Sequence, residues 1–188
     1  MKLFEYQARD VFAEFGIPVP LACLVNNLDA IPGAIEQIGV PCVIKAQVLH
    51  GGRGKSGLIK FARTKDEAQR SAADLLQNHP EVGALLVTEM ISVEKELYLS
   101  ITVDPSSARF MVIGCAQGGV EIEVLAKENP DAIEHVYFAP DFGLQPFKMR
   151  ALAYRLGLVS EQISQFVSIL NAMALIFNQY DSELVEIN

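Results

Sequence analysis

Between His50 and Gly57 the sequence reads His-Gly-Gly-Arg-Gly-Lys-Ser-Gly, with four glycines and two cations in eight residues. Glycine lets successive backbone N–H groups come close to an anion, and Arg53 and Lys55 balance its charge, so the loop suits phosphate. It lacks the spacing of a Walker A loop and opens no helix, which separates it from that motif and from the dinucleotide fingerprint. For the glycines alone, a plain turn is an equally open reading. Lys45, five residues before the loop, stands in an otherwise apolar run where an unpaired ammonium is costly. It must meet a partner, either a nucleotide phosphate or a structural carboxylate, and the neighbouring loop favours phosphate.

Glu89 follows the run Leu85 to Thr88, and Glu96 opens the next apolar run. The two carboxylates are expected at neighbouring strand ends on one side of a sheet, within reach of a ribose, an exocyclic amine or Lys45; two solvated acids are the other reading. In Ser182-Glu-Leu-Val-Glu-Ile-Asn188 the two-residue strand period puts Glu186 and Asn188 on one face. A carboxylate and an amide oxygen there suit Mg²⁺, which takes few protein oxygens and completes its shell with substrate phosphates. A solvent-facing strand edge is the alternative. His50, His79 and His135 show no ligand spacing, and no nucleophile elbow or Ser/His/Asp pattern appears.

Placing these residues takes several elements. Leu3, Tyr6, Val11, Phe12 and Phe15 repeat near a helical period, and Gly16 with Ile17-Pro18 stops the helix. Strands are expected at 20–26 and 42–48 around a helix at 28–38, then the glycine loop, a strand at 58–62 and a helix that Thr64 opens with Glu67 as its capping box. Runs at 84–90, 96–103 and 109–115 read as three antiparallel strands, the last two joined by Asp104-Pro-Ser-Ser107. A short helix near 123–128, a strand at 135–138, helices at 146–156 and 160–177, and a strand at 184–188 complete the set. A chain that stops inside a strand is expected to be a trimmed piece.

The net charge of −8, with 15 basic against 23 acidic side chains, argues against nucleic acid or anionic lipid as a partner and makes any phosphate site a local one. No apolar run is long enough to span a membrane, and the opening MKLFEYQARD is no secretory or transit signal, so a cytoplasmic location is expected. Cys23, Cys42 and Cys115 sit in apolar surroundings without zinc-site spacing and read as reduced core thiols.

Phe4-Glu-Tyr-Gln-Ala8, Val43-Ile-Lys-Ala-Gln-Val48, Gly51-Gly-Arg-Gly-Lys55, Lys95-Glu-Leu-Tyr98, Gln117-Gly-Gly-Val-Glu-Ile-Glu123 and Glu186-Ile-Asn188 occur in an order that resembles the NDP-forming acyl-CoA ligases, in particular β subunits of the succinyl-CoA synthetase type. The resemblance covers nearly the whole chain. It implies an α+β (mixed α/β) ATP-grasp fold of two lobes with nucleotide between them: a smaller lobe over 20–102 and a larger one from 1–19 with 103–188. It implies ATP as nucleotide, GTP being the alternative, with Pro20 tilting towards ATP. Lys45 and Gly52-Arg53-Gly54 would hold phosphates, Glu89, Ser92 and Glu96 the ribose and base, and Asn188 one Mg²⁺ ion. Glu186 would meet a phosphohistidine carried by a partner α subunit, which also binds CoA, and the carboxylate substrate would be succinate.

Three departures follow. The family's longer connection, with its Gly-Lys and Gln-Thr-Gly elements, is replaced here by a direct run from Leu76-Gln-Asn-His-Pro80 to Leu85. By the resemblance, the family's second Mg²⁺ ligand, an aspartate, and its C-terminal flavodoxin-like domain would lie beyond residue 188. The chain alone is therefore expected to hold part of an active site and not to complete the reaction. A ligase for malate, acetate or another acid, or a non-catalytic nucleotide-sensing module, are the competing readings.

Overall fold

The side chain of Gln7 accepts the Phe4 N–H at 3.0 Å, which satisfies one of the donors left open at the start of helix α1 (Glu5–Glu14). Gly16, at φ 76°, ends that helix in the left-handed region glycine enters without strain. A computed structural model describes residues 1–119, 121–139 and 142–187. The chain forms two units, Met1–Ala13 with Pro18–Ser92 and Glu14–Ile17 with Val93–Asn188.

The first unit is a four-stranded sheet in the order β1 (Ala22–Val25), β4 (Leu85–Glu89), β2 (Cys42–Ala46), β3 (Ile59–Ala62), each neighbouring pair antiparallel. Cys42, Ile44 and Ala46 of β2 and Leu85 and Val87 of β4 are buried in one core with Ile31 and Ile35 of α2 (Ile31–Ile38) and Ala68, Ala72 and Leu75 of α3 (Lys65–Asn78). The strand period then puts Val43 and Lys45 on the opposite face of the sheet. The helix expected over 28–38 is divided into a 3-10 turn at Leu28–Ala30, capped by the Asn27 side chain, and α2, with Pro32 in its first turn where no N–H is needed. At α3 the Thr64 hydroxyl accepts the Glu67 N–H at 3.2 Å, and the Glu67 carboxylate accepts the N–H of Arg63 at 2.8 Å, one residue earlier than in a regular capping box.

β2 and β3 pair directly, Lys45 opposite Ile59, so the glycine-rich segment is the loop joining them. Within it the N–H groups of Ser56 and Leu58 donate to the carbonyls of Gly52 at 3.1 Å and Arg53 at 2.9 Å, and Gly52 takes φ 74°. Any anion contact from this backbone therefore falls to N–H groups before Ser56.

The second unit carries the sheet β7 (Ile133–Phe138), β6 (Arg109–Cys115), β5 (Tyr98–Asp104), β8 (Leu184–Ile187), again antiparallel throughout. The turn between β5 and β6 is built on Asp104, whose carboxylate accepts the Ser106 N–H at 3.0 Å and the Ser106 and Ser107 hydroxyls at 2.6 and 2.7 Å. Helices α5 (Pro146–Arg155) and α6 (Ser160–Gln179) pack on one face. Gly114 of β6 permits this, since a Cβ there would meet Leu156 at 3.2 Å and Leu152 at 3.3 Å. The other face, with the short helix α4 (Ile122–Glu128) beside it, is the one that bears polar side chains.

Three stretches, 1–13, 18–19 and 93–102, fall in the unit opposite to the lobe expected from sequence. Met1–Ala13 joins the first unit, where Glu5 and Tyr6 bond to Lys45, Arg53 and Gln47. Residues 93–102 join the second, in which β5 pairs with β6 and β8. The antiparallel pairing expected of the three runs is made in two sheets: β4 is bonded between β1 and β2, and β5 between β6 and β8. Among the described residues no helix is long and apolar enough to cross a membrane.

Candidate functional site

Lys45 leaves the sheet face opposite α2 and α3, and its Nζ donates to Oε1 of Glu5 at 2.8 Å. Arg53, from the glycine loop, donates Nη1 to Oε2 of the same carboxylate at 2.5 Å and to the Ala46 carbonyl at 3.3 Å. Two cations against one carboxylate leave one positive charge at the mouth of a loop bearing Gly52 and Gly54. All three side chains are about three-quarters buried, at 27 %, 22 % and 26 % exposure for Lys45, Arg53 and Glu5, so the attraction is only partly screened. Burial pushes the Glu5 carboxyl up, but Lys45 and Arg53 outweigh it and hold the group below its ordinary value. Beneath the cluster lies Gln47, which is buried; its Oε1 accepts the Tyr6 N–H and its Nε2 donates to the Lys45 carbonyl, each at 3.1 Å.

Of the two partners open to Lys45 in the sequence, the one it meets here is a carboxylate. Glu5 was not singled out from sequence: an acid in the first turn of a helix is explained by the helix dipole alone, and the pair spans 40 residues.

Glu89 ends β4 and ties down the start of β1, its Oε1 accepting the Leu21 N–H at 2.6 Å while its own N–H donates to the Leu21 carbonyl at 3.0 Å. Ser92 is exposed at the end of the first unit. Glu96, also exposed, precedes β5 in the second unit, and its carbonyl accepts the Gly118 N–H at 3.0 Å. A Cβ on Gly118 would lie 2.5 Å from the Glu96 Cβ, and one on Gly119 2.5 Å from its Oε2, so this glycine pair is the floor under Glu96. Glu89 thus ends a strand of one sheet and Glu96 precedes a strand of the other, so the two do not flank neighbouring strands of one sheet, and the carboxylate bonded to Lys45 is that of Glu5. Backbone pairing decides this, since β4 is bonded between β1 and β2 while β5 lies between β6 and β8.

On the polar face of the second sheet the register aligns His135, Ile113, Ser100 and Glu186 in one row across all four strands. They line a cleft of about 480 Å³ together with Tyr98, Thr102, Leu184 and the α4 residues Ile122, Glu123 and Ala126. The Tyr98 hydroxyl donates to Oε2 of the exposed Glu186 at 3.1 Å. Burial, with the Glu186 carboxylate adding to it, pushes the Tyr98 phenol up to about 12, so it stays a donor at neutral pH. In the sequence Tyr98 is a strand residue and the end of the Lys95–Tyr98 segment, with no role of its own. Asn188 lies outside the described residues. Among the described residues no three or more His, Cys, Asp or Glu gather to hold a metal.

A family model described as an ATP-grasp domain matches residues 2–188. The ADP-forming succinate–CoA ligase subunit β of Chloroflexus aurantiacus is 47 % identical over 193 aligned residues, covering all of this chain and 50 % of that protein. A subunit of an ADP-forming sulfoacetate-CoA ligase of Bilophila wadsworthia is 44 % identical over 188 residues, again covering all of this chain and 50 % of the relative. The chain therefore spans about half the length of the curated relatives it matches. Among solved structures, the dinucleotide forming acetyl-coenzyme A synthetase 1 of Ca. Korarchaeum cryptofilum in complex with coenzyme A superposes with a TM-score of 0.79 at 20 % identity, covering 100 % of this chain and 85 % of that one, a likeness of fold.

Proposed function

This chain belongs to the ATP-grasp domain family, and from that premise we propose that it is the nucleotide-binding part of a β subunit in an ADP-forming acyl-CoA ligase. The observation that carries the reading is the cation pair Lys45 and Arg53 beside the glycine loop, left with one net positive charge by Glu5. That is the arrangement a polyphosphate needs, a point charge and a planar fork next to approachable backbone N–H groups. In this reading Lys45, Arg53, Gly52 and Gly54 hold the phosphates of ATP, and Glu89, Ser92 and Glu96 take the ribose and base.

The reaction we propose for the assembled enzyme is acid plus ATP plus CoA giving acyl-CoA, ADP and phosphate. The γ-phosphoryl passes to a histidine of a partner α subunit, then to a carboxylate oxygen of the acid, and the CoA thiol displaces phosphate from the acyl carbon. Glu186, oriented by the Tyr98 hydroxyl, is the carboxylate that receives the incoming imidazole in the cleft of the second unit. Mg²⁺ bound with the nucleotide would neutralise charge on the transferring phosphoryl, and Asn188, whose side-chain amide oxygen is of the type a hard cation takes, is its proposed ligand. A cytoplasmic location is part of this proposal.

Succinate is the proposed acid. Sulfoacetate is a second reading, favoured by the relative at 44 % identity; both acids carry a second anionic group. Thioester absorbance measured on the complete complex with succinate, sulfoacetate, malate and acetate decides among them. Thioester from none of the four, with ATP still bound by the chain, would replace the ligase with a nucleotide-sensing module.

A further inference from the structure

We propose that Glu5 is a positioning residue for the nucleotide polyphosphate: each of its oxygens holds one cation, so that Lys45 and Arg53 present their remaining donors to one anion. The inference rests on the phosphate reading of Lys45 and Arg53 given above.

Two like charges on long, flexible stems repel each other, and each has several rotamers open to it. Here they come from separate elements, β2 and the glycine loop; Arg53 also bonds the Ala46 carbonyl of β2, and among the described residues the group that bonds both cations is the carboxylate of a third element, α1. Their geometry is therefore set by where α1 begins. That start is fixed by the Tyr6 N–H on buried Gln47, which in turn donates to the carbonyl of Lys45 itself. The acid and the lysine thus share one frame.

Donor counting leaves room for a ligand. Lys45 has three N–H groups and gives one to Glu5; Arg53 bonds Glu5 and Ala46 through Nη1, leaving its Nη2 and Nε faces for another acceptor. A carboxylate that merely stood in for phosphate would have to be displaced by ATP, and its removal would tighten binding. One that positions the cations would loosen binding when removed.

The test is calorimetry of Mg-ATP and of inorganic tripolyphosphate on the wild-type chain and on Glu5→Gln, Glu5→Asp and Lys45→Ala, with KM and kcat for ATP on the assembled enzyme. Tripolyphosphate has no base or ribose, so it isolates the cation pair. Glu5→Gln is expected to weaken both ligands by about tenfold and to raise KM more than it lowers kcat. Glu5→Asp keeps the charge but is a methylene too short to span both cations, and is expected to fall between; it also serves if the Gln variant does not fold. Tighter binding by Glu5→Gln, or unchanged affinity with a lowered melting temperature, overturns the inference. If Lys45→Ala weakens ATP binding while Glu5→Gln does not, the positioning role alone fails. Unchanged ATP binding by Lys45→Ala sinks the phosphate reading itself.

Discussion

Replacing Gly118 by alanine would put a methyl carbon 2.5 Å from the Cβ of Glu96, 2.7 Å from its carbonyl carbon and 2.9 Å from the Leu97 nitrogen. Two of those three atoms are backbone at the entry to β5, which is hydrogen-bonded on both sides, so neither can step aside by changing a rotamer. Overpacking of this kind costs about 1–3 kcal/mol, and an immovable partner puts Gly118→Ala near the top of that range. The Gly118 N–H to Glu96 carbonyl bond, 3.0 Å long, is strained by the same shift and adds about 1 kcal/mol if lost. A total of about 3–4 kcal/mol corresponds to a fall of about 6–16 °C in Tm for a chain of this size. Thermal melts followed by far-ultraviolet circular dichroism measure it. Gly33→Ala, inside α2 with nothing within 4 Å of the added carbon, is the control and should be neutral or stabilised by up to about 1 kcal/mol. A Gly118→Ala protein that melts with the wild type would mean that Glu96 and the glycine pair are not packed as described, and would remove the physical reason for assigning Gln117-Gly-Gly119 to the support of Glu96.

The Glu5 carboxyl is held below its ordinary value of 4.5 by Lys45 and Arg53 against the opposing effect of burial, so its contribution to stability is fully present above pH 4.5 and lost as pH falls through the lowered value. Urea melts should show Glu5→Gln less stable than wild type at neutral pH by about 1 kcal/mol, the gap closing in acid; a gap independent of pH would refute the pairing. For Tyr98 the sign is reversed: with the phenol raised from 10 to about 12, its contribution is intact below pH 10 and lost as pH climbs through 12. The tyrosinate absorbance of wild type minus Tyr98→Phe should therefore rise only near 12, and a rise at 10 would place the phenol in water. Thr64→Ala removes the hydroxyl that accepts the Glu67 N–H and should cost about 1 kcal/mol, with no loss if that cap is made in solution by water.

How much of this the sequence determined follows from the range of each interaction. The helices and strands were legible because their signals are local: the period of Leu3, Tyr6, Val11, Phe12 and Phe15, the apolar run from Cys42 to Val48, the stop at Gly16, the cap at Thr64. So was the glycine loop beside a lysine in an apolar strand, since an ammonium there must find a partner whatever the fold. The ATP-grasp fold was legible through motif order, which reflects shared ancestry and not energetics. Which carboxylate meets Lys45 was not legible, because Glu5 reaches it over 40 residues and is itself placed by Gln47. Nor was the sheet that each of Glu89 and Glu96 adjoins: only seven residues apart in the chain, the first ends a strand of one sheet and the second precedes a strand of the other, and sheet membership is decided by which backbone edges pair. The row His135, Ile113, Ser100 and Glu186 is likewise a product of register across four strands. Local chemistry wrote the elements and the charges into the sequence; long-range pairing, which no window of residues contains, decided which charges meet.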